Sequence, residues 1–262
     1  MRNQHLYFNT SIGVQKPESI RNKETPCPFC ARDQLTDILA VEGPIIFLKN
    51  KYPVLENAYQ TVLIETDDCQ AELSTYPKEH LHKLLKFGLK YWEEMENSGL
   101  YESVIFFKNY GPFSGGTIAH PHMQIIGLHD LDYRDNLEEE AFKGIVIREE
   151  NGVRFSLSTL PRIGFYEFNV QMKEEAGYTK EFGEYIQTAA HYILHHFPFK
   201  STSYNIFFYH LNENIYAKIV PRFVTTPIYI GYGLPQVPNN LEWMANQVNQ
   251  IYFYKGDEGI LG

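Results

Sequence analysis

The chain has 262 residues, enough for one large domain or for two domains of about 130 residues each. Apolar residues make up 44% and charged residues 21%, a balance typical of a soluble globular protein. A formal net charge of −9 argues against DNA or RNA as a partner, because nucleic-acid interfaces are strongly basic, but it is compatible with a single nucleotide in a locally positive pocket.

The beginning of the chain and its cysteines indicate the compartment. Residues 1–13 are polar and lack the apolar core of a signal peptide. No run reaches the roughly 18 apolar residues that a membrane span needs. Three cysteines cannot all pair, which argues against a secreted disulfide scaffold. We therefore expect a cytoplasmic protein with neither a membrane nor a nucleic acid as its partner.

The first half of the chain predicts several strands and one long helix. Apolar runs at 44–48, 60–65 and 104–107 are typical of strands. Between the second and third runs, leucines recur at three- and four-residue spacings over 76–98, and Gly99 fits a helix C-terminus. This segment is therefore predicted to be an amphipathic helix.

A glycine turn followed by two alternating histidines, at 115–124, is the most distinctive stretch. Isoleucines follow it, so we expect a strand in which His120, His122 and Gln124 share one face. Such a row suits phosphoryl chemistry, because one imidazole can act as nucleophile, another can hold the site, and an amide can donate to a phosphoryl oxygen. Backbone N–H groups of 114–117 could cradle the anion. The alternative interpretation is a half-buried polar strand without chemistry.

All three cysteines precede His120 and lie at predicted turns or strand ends. Cys27 and Cys30 form a C-x-x-C, which can be a redox pair or half of a zinc site. Prolines flank Cys27 and a polar segment follows Cys30, unlike a redox pair that opens a helix. Together with Cys69 and His120, the pair would complete a closed Cys₃His set, a common structural zinc arrangement. The alternative is a cysteine pair plus an unrelated buried Cys69.

The second half repeats this plan in a degenerate form. The acidic stretch 131–140 is interpreted as a connection between the halves. In the strand predicted over 215–220, Tyr216 and Lys218 take the places of the two histidines. His191 and His195 have a spacing that can bind metal on a helix, but no zinc-protease glutamate lies between them. The elements predicted before that strand are strands at 154–160 and 164–172, a helix at 180–196 and a strand at 204–209.

The motif residues together resemble the galactose-1-phosphate uridylyltransferase branch of the histidine-triad superfamily. That branch carries N-x-G, a small glycine and serine loop, and then H-P-H-x-Q, as at 109–111 and 115–124. Its hydrolase relatives have a third histidine where Gln124 stands. The C-P-x-C at 27–30 also matches, and the tetrapeptide at 50–53 is similar to the N-x-F-P turn that contacts nucleotides in this branch.

The resemblance implies an α+β protein of two fused histidine-triad-like domains, each a mainly antiparallel sheet with helices, over residues 1–135 and 136–262. It implies a two-step transfer through a nucleotidyl-histidine, with His122 as the nucleophile and Gln124 as the donor to a non-bridging oxygen. His120 would ligate a structural zinc ion, and Cys69 falls where many members supply a histidine ligand. The residues expected to bind the nucleotide and its phosphates are Asn50, Asn109, Ser114, Gly115, Gly116 and Thr117.

Our leading expectation is a nucleotidyltransferase that moves a nucleoside monophosphate, UMP by default, from a nucleotide sugar to a sugar 1-phosphate, as in galactose metabolism. The chain departs from the branch at two positions where acidic residues are expected: Lys51, which affects contacts to the ribose hydroxyls, and Gly233, in the segment that touches the hexose phosphate. One alternative is a phosphorylase or hydrolase of nucleotide sugars or dinucleoside polyphosphates. Another is a non-catalytic, zinc-stabilised nucleotide-binding module. Members of this branch often dimerise, so a homodimer is expected by analogy.

Overall fold

The computed structural model describes residues 5–20, 22, 24 and 26–254. Short 3₁₀ turns occur at Arg32–Gln34, Leu73–Thr75, Tyr133–Asn136, Glu139–Phe142 and Glu174–Ala176. The α-helices are α1 (Thr10–Gly13), α2 (Lys78–Asn97), α3 (Lys180–His195), α4 (Pro227–Tyr232) and α5 (Leu241–Tyr252). The strands are β1 (Ile38–Glu42), β2 (Ile45–Lys49), β3 (Ala58–Ile64), β4 (Ser103–Tyr110), β5 (His122–Leu128), β6 (Gly144–Glu150), β7 (Val153–Ser158), β8 (Phe168–Lys173), β9 (Tyr204–Leu211) and β10 (Asn214–Pro221).

The ten strands form one antiparallel sheet with the order β1-β2-β3-β5-β4-β9-β10-β8-β7-β6. Each half contributes three strands, a helix and two strands, in the same chain order and in mirrored positions across the β4–β9 pair. The α+β class and the two fused, mainly antiparallel units are therefore confirmed. Phe106 and Phe208 are register partners at the junction, and their rings stack with centroids 4.2 Å apart.

Side chains of the sheet alternate between two apolar clusters, one on each face. On β3, Leu63 belongs to the large core that includes α2 and α3, whereas Val62 and Ile64 pack on the other face with Phe29. Leu63 is fully buried, and burying a side chain of this size stabilises the fold by roughly 1.5–3 kcal/mol. The long helices thus cover one face, and the Phe29 side of the first half is left to form a site.

Helix α2 follows the predicted leucine pattern closely. Leu81, Leu84, Leu85 and Leu89 are all buried, and Trp92 continues the same stripe and donates from Nε1 to the Val104 carbonyl at 2.8 Å. That bond ties the helix to β4, the strand next to β5, which begins at His122. No helix in the described ranges has both the length and the apolar character needed to cross a bilayer.

Candidate functional site

A cavity on the Phe29 face of the sheet brings together residues from distant parts of the chain. Of the residues predicted to bind the nucleotide or to act on it, Ser114 does not line the cavity. Its Oγ donates to the Gly111 carbonyl at 2.7 Å and accepts from the Gly116 N–H at 3.3 Å. That side chain shapes the glycine turn instead of facing the cavity. The predicted residues that do line the cavity are Asn50, Asn109, Gly115, Gly116, Thr117, His122 and Gln124.

His122 is held in a single neutral form with one nitrogen left for chemistry. It opens β5 and is 8% exposed, and it lines the cavity. Its Nδ1 donates to the His120 carbonyl at 2.7 Å, so the lone pair is on Nε2. Burial lowers the pKa of His122 to about 4, and the positive charge of Lys108 also favours the neutral ring. At pH 7 the imidazole therefore has the form that a nucleophile requires.

Part of the cavity lining is apolar, and one of its residues lies within the C-x-x-C itself. Phe29, between the two cysteines, meets the His122 ring edge-on with centroids 5.4 Å apart. Leu35, Leu48 and Val62 line the cavity beside it. An apolar wall next to hydrogen-bonding groups is the usual composition of a small-ligand site. A nucleobase would suit the apolar part of this lining.

The charged residues that line the cavity are of one sign. Lys16, Lys49 and Lys51 all contribute to its wall, and none of its described lining residues is an aspartate or a glutamate. Burial lowers the pKa of Lys16, which lies close enough to influence the charge state of His122. In a chain of net charge −9, this local excess of positive charge suits an anionic ligand.

The glycine loop of the first half is held by the second half. Gly111 has a φ of +82°, and a Cβ built there would lie 2.2 Å from the Thr202 carbonyl oxygen. The Phe113 N–H donates to Ser203 Oγ at 3.0 Å. Glycine is therefore required at position 111 both for its backbone conformation and for this close approach.

The four predicted metal ligands lie together beside this cavity. The ligand atoms of Cys27, Cys30, Cys69 and His120 are all within 4.8 Å of one another. His120 Nδ1 is 3.6 Å from the Sγ atoms of both Cys27 and Cys30. Tetrahedral zinc, with bonds of about 2.3 Å to sulfur and 2.0 Å to nitrogen, would place sulfur and nitrogen about 3.5 Å apart. The residues therefore fit a four-coordinate zinc ion.

The protonation of the cluster also suits a cation. His120 Nε2 donates to the Thr66 carbonyl at 2.8 Å, which leaves the Nδ1 lone pair pointing at the sulfurs. Burial alone would raise the pKa of Cys27, but hydrogen bonds that include one from the Phe29 N–H outweigh it and lower the pKa to about 6. Burial and the neighbouring sulfurs raise the pKa of Cys69 to about 12. A divalent cation would stabilise the thiolate forms that the neighbouring sulfurs otherwise disfavour.

The corresponding region of the second half is closed by its own chain. Lys218 on β10 is buried, and its Nζ contacts Glu167 Oε2 at 3.0 Å and the Ala141 carbonyl at 2.7 Å. Its ammonium also lies 5.0 Å from the centre of the Phe142 ring. A fully paired lysine under an aromatic ring offers neither a nucleophile nor an open cleft, as expected for a degenerate copy.

Several residues of the site are not predicted from the sequence. Lys16 lies in a polar segment without periodicity, and Asn205 reaches the site from the second half, where it contacts Asn109. Phe29 could have been found from its place inside the C-x-x-C.

The histidine spacing at His191 and His195 is not part of a metal site in the described part of the chain. His191 is hydrogen-bonded to the Tyr252 hydroxyl at 2.6 Å, and the Cys₃His set is the group of described residues whose ligand atoms lie close enough to share an ion.

Two models of one family together match most of the chain. The N-terminal domain of the domain of unknown function DUF4931 matches residues 8–131, and the C-terminal domain of DUF4931 matches residues 134–253. A comparison with curated proteins gives no match.

Solved structures with the same fold include relatives at very different levels of identity. A DUF4931 family protein from Bacillus cereus ATCC 10987 is 45% identical, with a TM-score of 0.76 over 83% of this chain and 100% of that chain. An ADP-glucose phosphorylase from Arabidopsis thaliana with bound ADP-glucose is 17% identical, with a TM-score of 0.71 over 92% of this chain and 94% of that chain. A uridylyltransferase mutant is 15% identical, with a TM-score of 0.69 over 86% and 92%. The fold expected from the sequence is therefore confirmed, since the chain shares it with a uridylyltransferase and with an ADP-glucose phosphorylase.

Proposed function

Since the chain belongs to the DUF4931 family, we propose its function from the site that it presents: transfer of a nucleoside monophosphate through a covalent adduct on His122. The observation that carries this proposal is the state of that imidazole. It is neutral, it donates from Nδ1 to the His120 carbonyl at 2.7 Å, and it borders a cavity whose charged lining residues are lysines. A buried histidine with a purely structural role would need neither a cavity beside it nor lysines in the wall of that cavity.

In the first step, His122 Nε2 attacks the α-phosphorus of a nucleotide sugar. The new P–N bond forms as the P–O bond to the departing sugar phosphate breaks, and the His120 carbonyl keeps its hydrogen bond to Nδ1–H as the ring gains positive charge. In the second step, an oxygen of the acceptor phosphate attacks the same phosphorus and His122 leaves. Each displacement is easier than a direct exchange between two anions.

The neighbouring polar groups have roles in stabilising the transferred phosphoryl group. Gln124 follows His122 on the same face of β5, and we assign its amide N–H to a non-bridging oxygen. Asn109 and the backbone of 115–117 border the phosphate end of the cavity. We assign to Lys16, which lines the cavity, the role of offsetting the negative charge of the phosphates. Asn50, whose Oδ1 accepts from the Tyr52 N–H at 2.9 Å, is assigned to the nucleoside.

We assign a structural role to zinc. Four protein ligands leave no coordination position for a substrate, so a bound ion would brace the site and contribute to folding. His120 links the two functions, because its ring belongs to the ligand set and its carbonyl holds His122. The cluster and the cavity are thus connected through His120, which does not itself line the cavity.

The substrates that we propose are a nucleotide sugar, UDP-glucose by default, and a sugar 1-phosphate acceptor, in the cytoplasm. A second candidate is a phosphorylase that uses orthophosphate as the acceptor. The lysines of the cavity favour this candidate, since they suit a small anionic acceptor. We retain the division into residues 1–135 and 136–262, with catalysis in the first part.

Incubation with nucleotide sugars labelled in the nucleotide tests the proposal. Wild-type protein should retain the label after denaturation, and His122→Ala should not. His129→Ala is a matched control, because His129 lies just after the same strand but is exposed and outside the cavity. Release of the label by sugar 1-phosphate would support the transferase, whereas release by orthophosphate would support the phosphorylase. No retention with any nucleotide would favour the non-catalytic binding module.

A further inference from the structure

Asn205 is a buried amide of the second half that reaches into the site of the first. It lies on β9 directly opposite Asn109 of β4, at the centre of the sheet, and is 1% exposed. Its Nδ2 donates to Asn109 Oδ1 at 2.6 Å and to the Ser114 carbonyl at 3.0 Å. A single side chain therefore joins the asparagine and the glycine loop, the two parts of the phosphate end of the cavity.

The orientation of the Asn205 amide is determined by partners that cannot exchange roles. The Ser114 carbonyl can only accept a hydrogen bond, and it faces Nδ2. Arg222 can only donate, and its Nη1 is 2.8 Å from Asn205 Oδ1. Exchanging the nitrogen and the oxygen of Asn205 would place acceptor against acceptor and donor against donor, so one orientation satisfies both contacts.

This orientation determines how Asn109 faces its ligand. Because Asn205 offers an N–H, Asn109 must turn its oxygen towards Asn205, and its own NH₂ group then points away from that contact. Asn109 lines the cavity, so its N–H groups are available to an oxygen of an anion bound there. A freely rotating asparagine would present the carbonyl oxygen as readily, and that oxygen would repel a phosphate.

We propose that Asn205 and Arg222 of the second half are positioning residues that fix Asn109 as a hydrogen-bond donor to the transferred phosphoryl group. This inference rests on the proposed function. The donors run in one direction, from the Arg222 guanidinium through Asn205 to Asn109, and end at the phosphate. Hydrogen bonds aligned in this way strengthen one another. The second half thereby contributes to a reaction for which it has no nucleophile.

Asn205→Asp provides the sharpest test, because it keeps the shape and the acceptor for Arg222 but removes the N–H. Asn109 must then turn its NH₂ towards the new carboxylate and its oxygen towards the phosphate. We expect the rate of adduct formation to fall on the order of 10²-fold, as when one preorganised donor is lost. Asn205→Ala, which leaves Asn109 free to rotate, should lower the rate of adduct formation by a smaller factor. Arg222→Lys, which keeps a cationic donor, should retain more activity than Arg222→Met.

Asn169→Ala is the matched control for loss of a buried amide. Asn169 is also 1% exposed, and its Nδ2 donates to Ser158 Oγ at 2.8 Å, but it lies on β8 far along the sheet from the cavity. Asn169→Ala should lower Tm, as we also expect of Asn205→Ala, but it should leave the rate of adduct formation by the folded protein unchanged. A rate for Asn205→Asp within twofold of wild type would overturn the inference, and so would equal losses of rate in the two alanine variants.

Calorimetry with UMP and AMP separates this inference from the proposed function. If wild type binds a nucleotide without forming an adduct, and Asn205→Asp binds it at least tenfold more weakly, the positioning role stands and the covalent mechanism falls. If wild type forms an adduct and Asn205→Asp binds and reacts equally well, the mechanism stands and the positioning role falls. Absence of both binding and adduct in wild type would overturn both.

Discussion

Replacing Cys69 with serine should release the metal ion that we propose between three segments of the chain. Cys69 follows β3, Cys27 and Cys30 precede β1, and His120 precedes β5. A serine hydroxyl keeps the size of the side chain but not the thiolate that zinc prefers. The variant should therefore retain its strands but lose the connection between these segments.

The expected magnitude follows from the length of chain that the metal closes. Cys27 and Cys69 are 42 positions apart (69 − 27). In the chain-entropy treatment used for disulfides, a cross-link over such a loop stabilises the folded state by about 4 kcal/mol. This is an upper value, because the three remaining ligands can hold an ion weakly. At roughly 2–4 °C per kcal/mol for a chain of this size, this upper value corresponds to a fall in Tm of about 8–16 °C.

Metal content and melting with and without a chelator provide the assay. Wild type should contain one zinc ion per chain, and the chelator should lower its Tm by much more than it lowers the Tm of Cys69→Ser, whose three remaining ligands hold an ion only weakly. Gln70→Ser, at the exposed neighbouring position, should behave as wild type. Metal-free wild-type protein would refute the reasoning, as would a Cys69→Ser variant that melts at the wild-type temperature.

Three further substitutions test separate parts of the molecule. Gln124→His should increase release of free nucleoside monophosphate in the absence of an acceptor, measured by chromatography, because an imidazole can exchange a proton and an amide cannot. Gly111→Ala should lower the free energy of unfolding in urea by more than the roughly 1–2 kcal/mol of left-handed strain, because its Cβ would also overlap the Thr202 carbonyl. Glu167→Gln should cost about 3–5 kcal/mol in the same measurement, since it leaves buried Lys218 without its carboxylate.

Matched variants isolate the cause of each effect. Gly115 has a similar φ of +87°, but a Cβ at that position would have nothing within 4 Å, so Gly115→Ala should cost the backbone strain alone. Equal losses at the two glycines would contradict the role of the Thr202 contact. Glu140→Gln breaks an exposed ion pair with Lys143 and should have no measurable effect on unfolding. Hydrolysis by Gln124→His at the wild-type rate would contradict the proposed reason for the glutamine.

The parts of the fold and site that the sequence predicts are those with local signals. The alternation of His122 and Gln124, the leucine spacing of α2 and the ligand chemistry of the cysteines are all visible within short windows. The edge strands β1 and β6 are not predicted. Each contains a register irregularity, at Ile38/Ala40 in β1 and at Val146/Arg148 in β6, and such bulges break the two-residue period that identifies a strand.

Other parts depend on contacts that no local pattern encodes. Asn109 and Asn205 are 96 positions apart, and their contact exists because the two halves pair through β4 and β9. Lys16 reaches the cavity from a segment without periodicity. Helix α5 is also not predicted, although its apolar pattern is local: Met244, Ala245 and Val248 are buried at helical spacing, which is visible in the sequence.

The central claim is that His122 carries the nucleotide during the reaction, and the intact mass of the protein measures this most directly. Wild-type protein quenched after incubation with a nucleotide sugar should gain the mass of one nucleotidyl group, peptide mapping should locate it on His122, and an acceptor phosphate should remove it. An unchanged mass with nucleotide sugars and dinucleoside polyphosphates alike, or an equal gain by His122→Ala, would contradict the account.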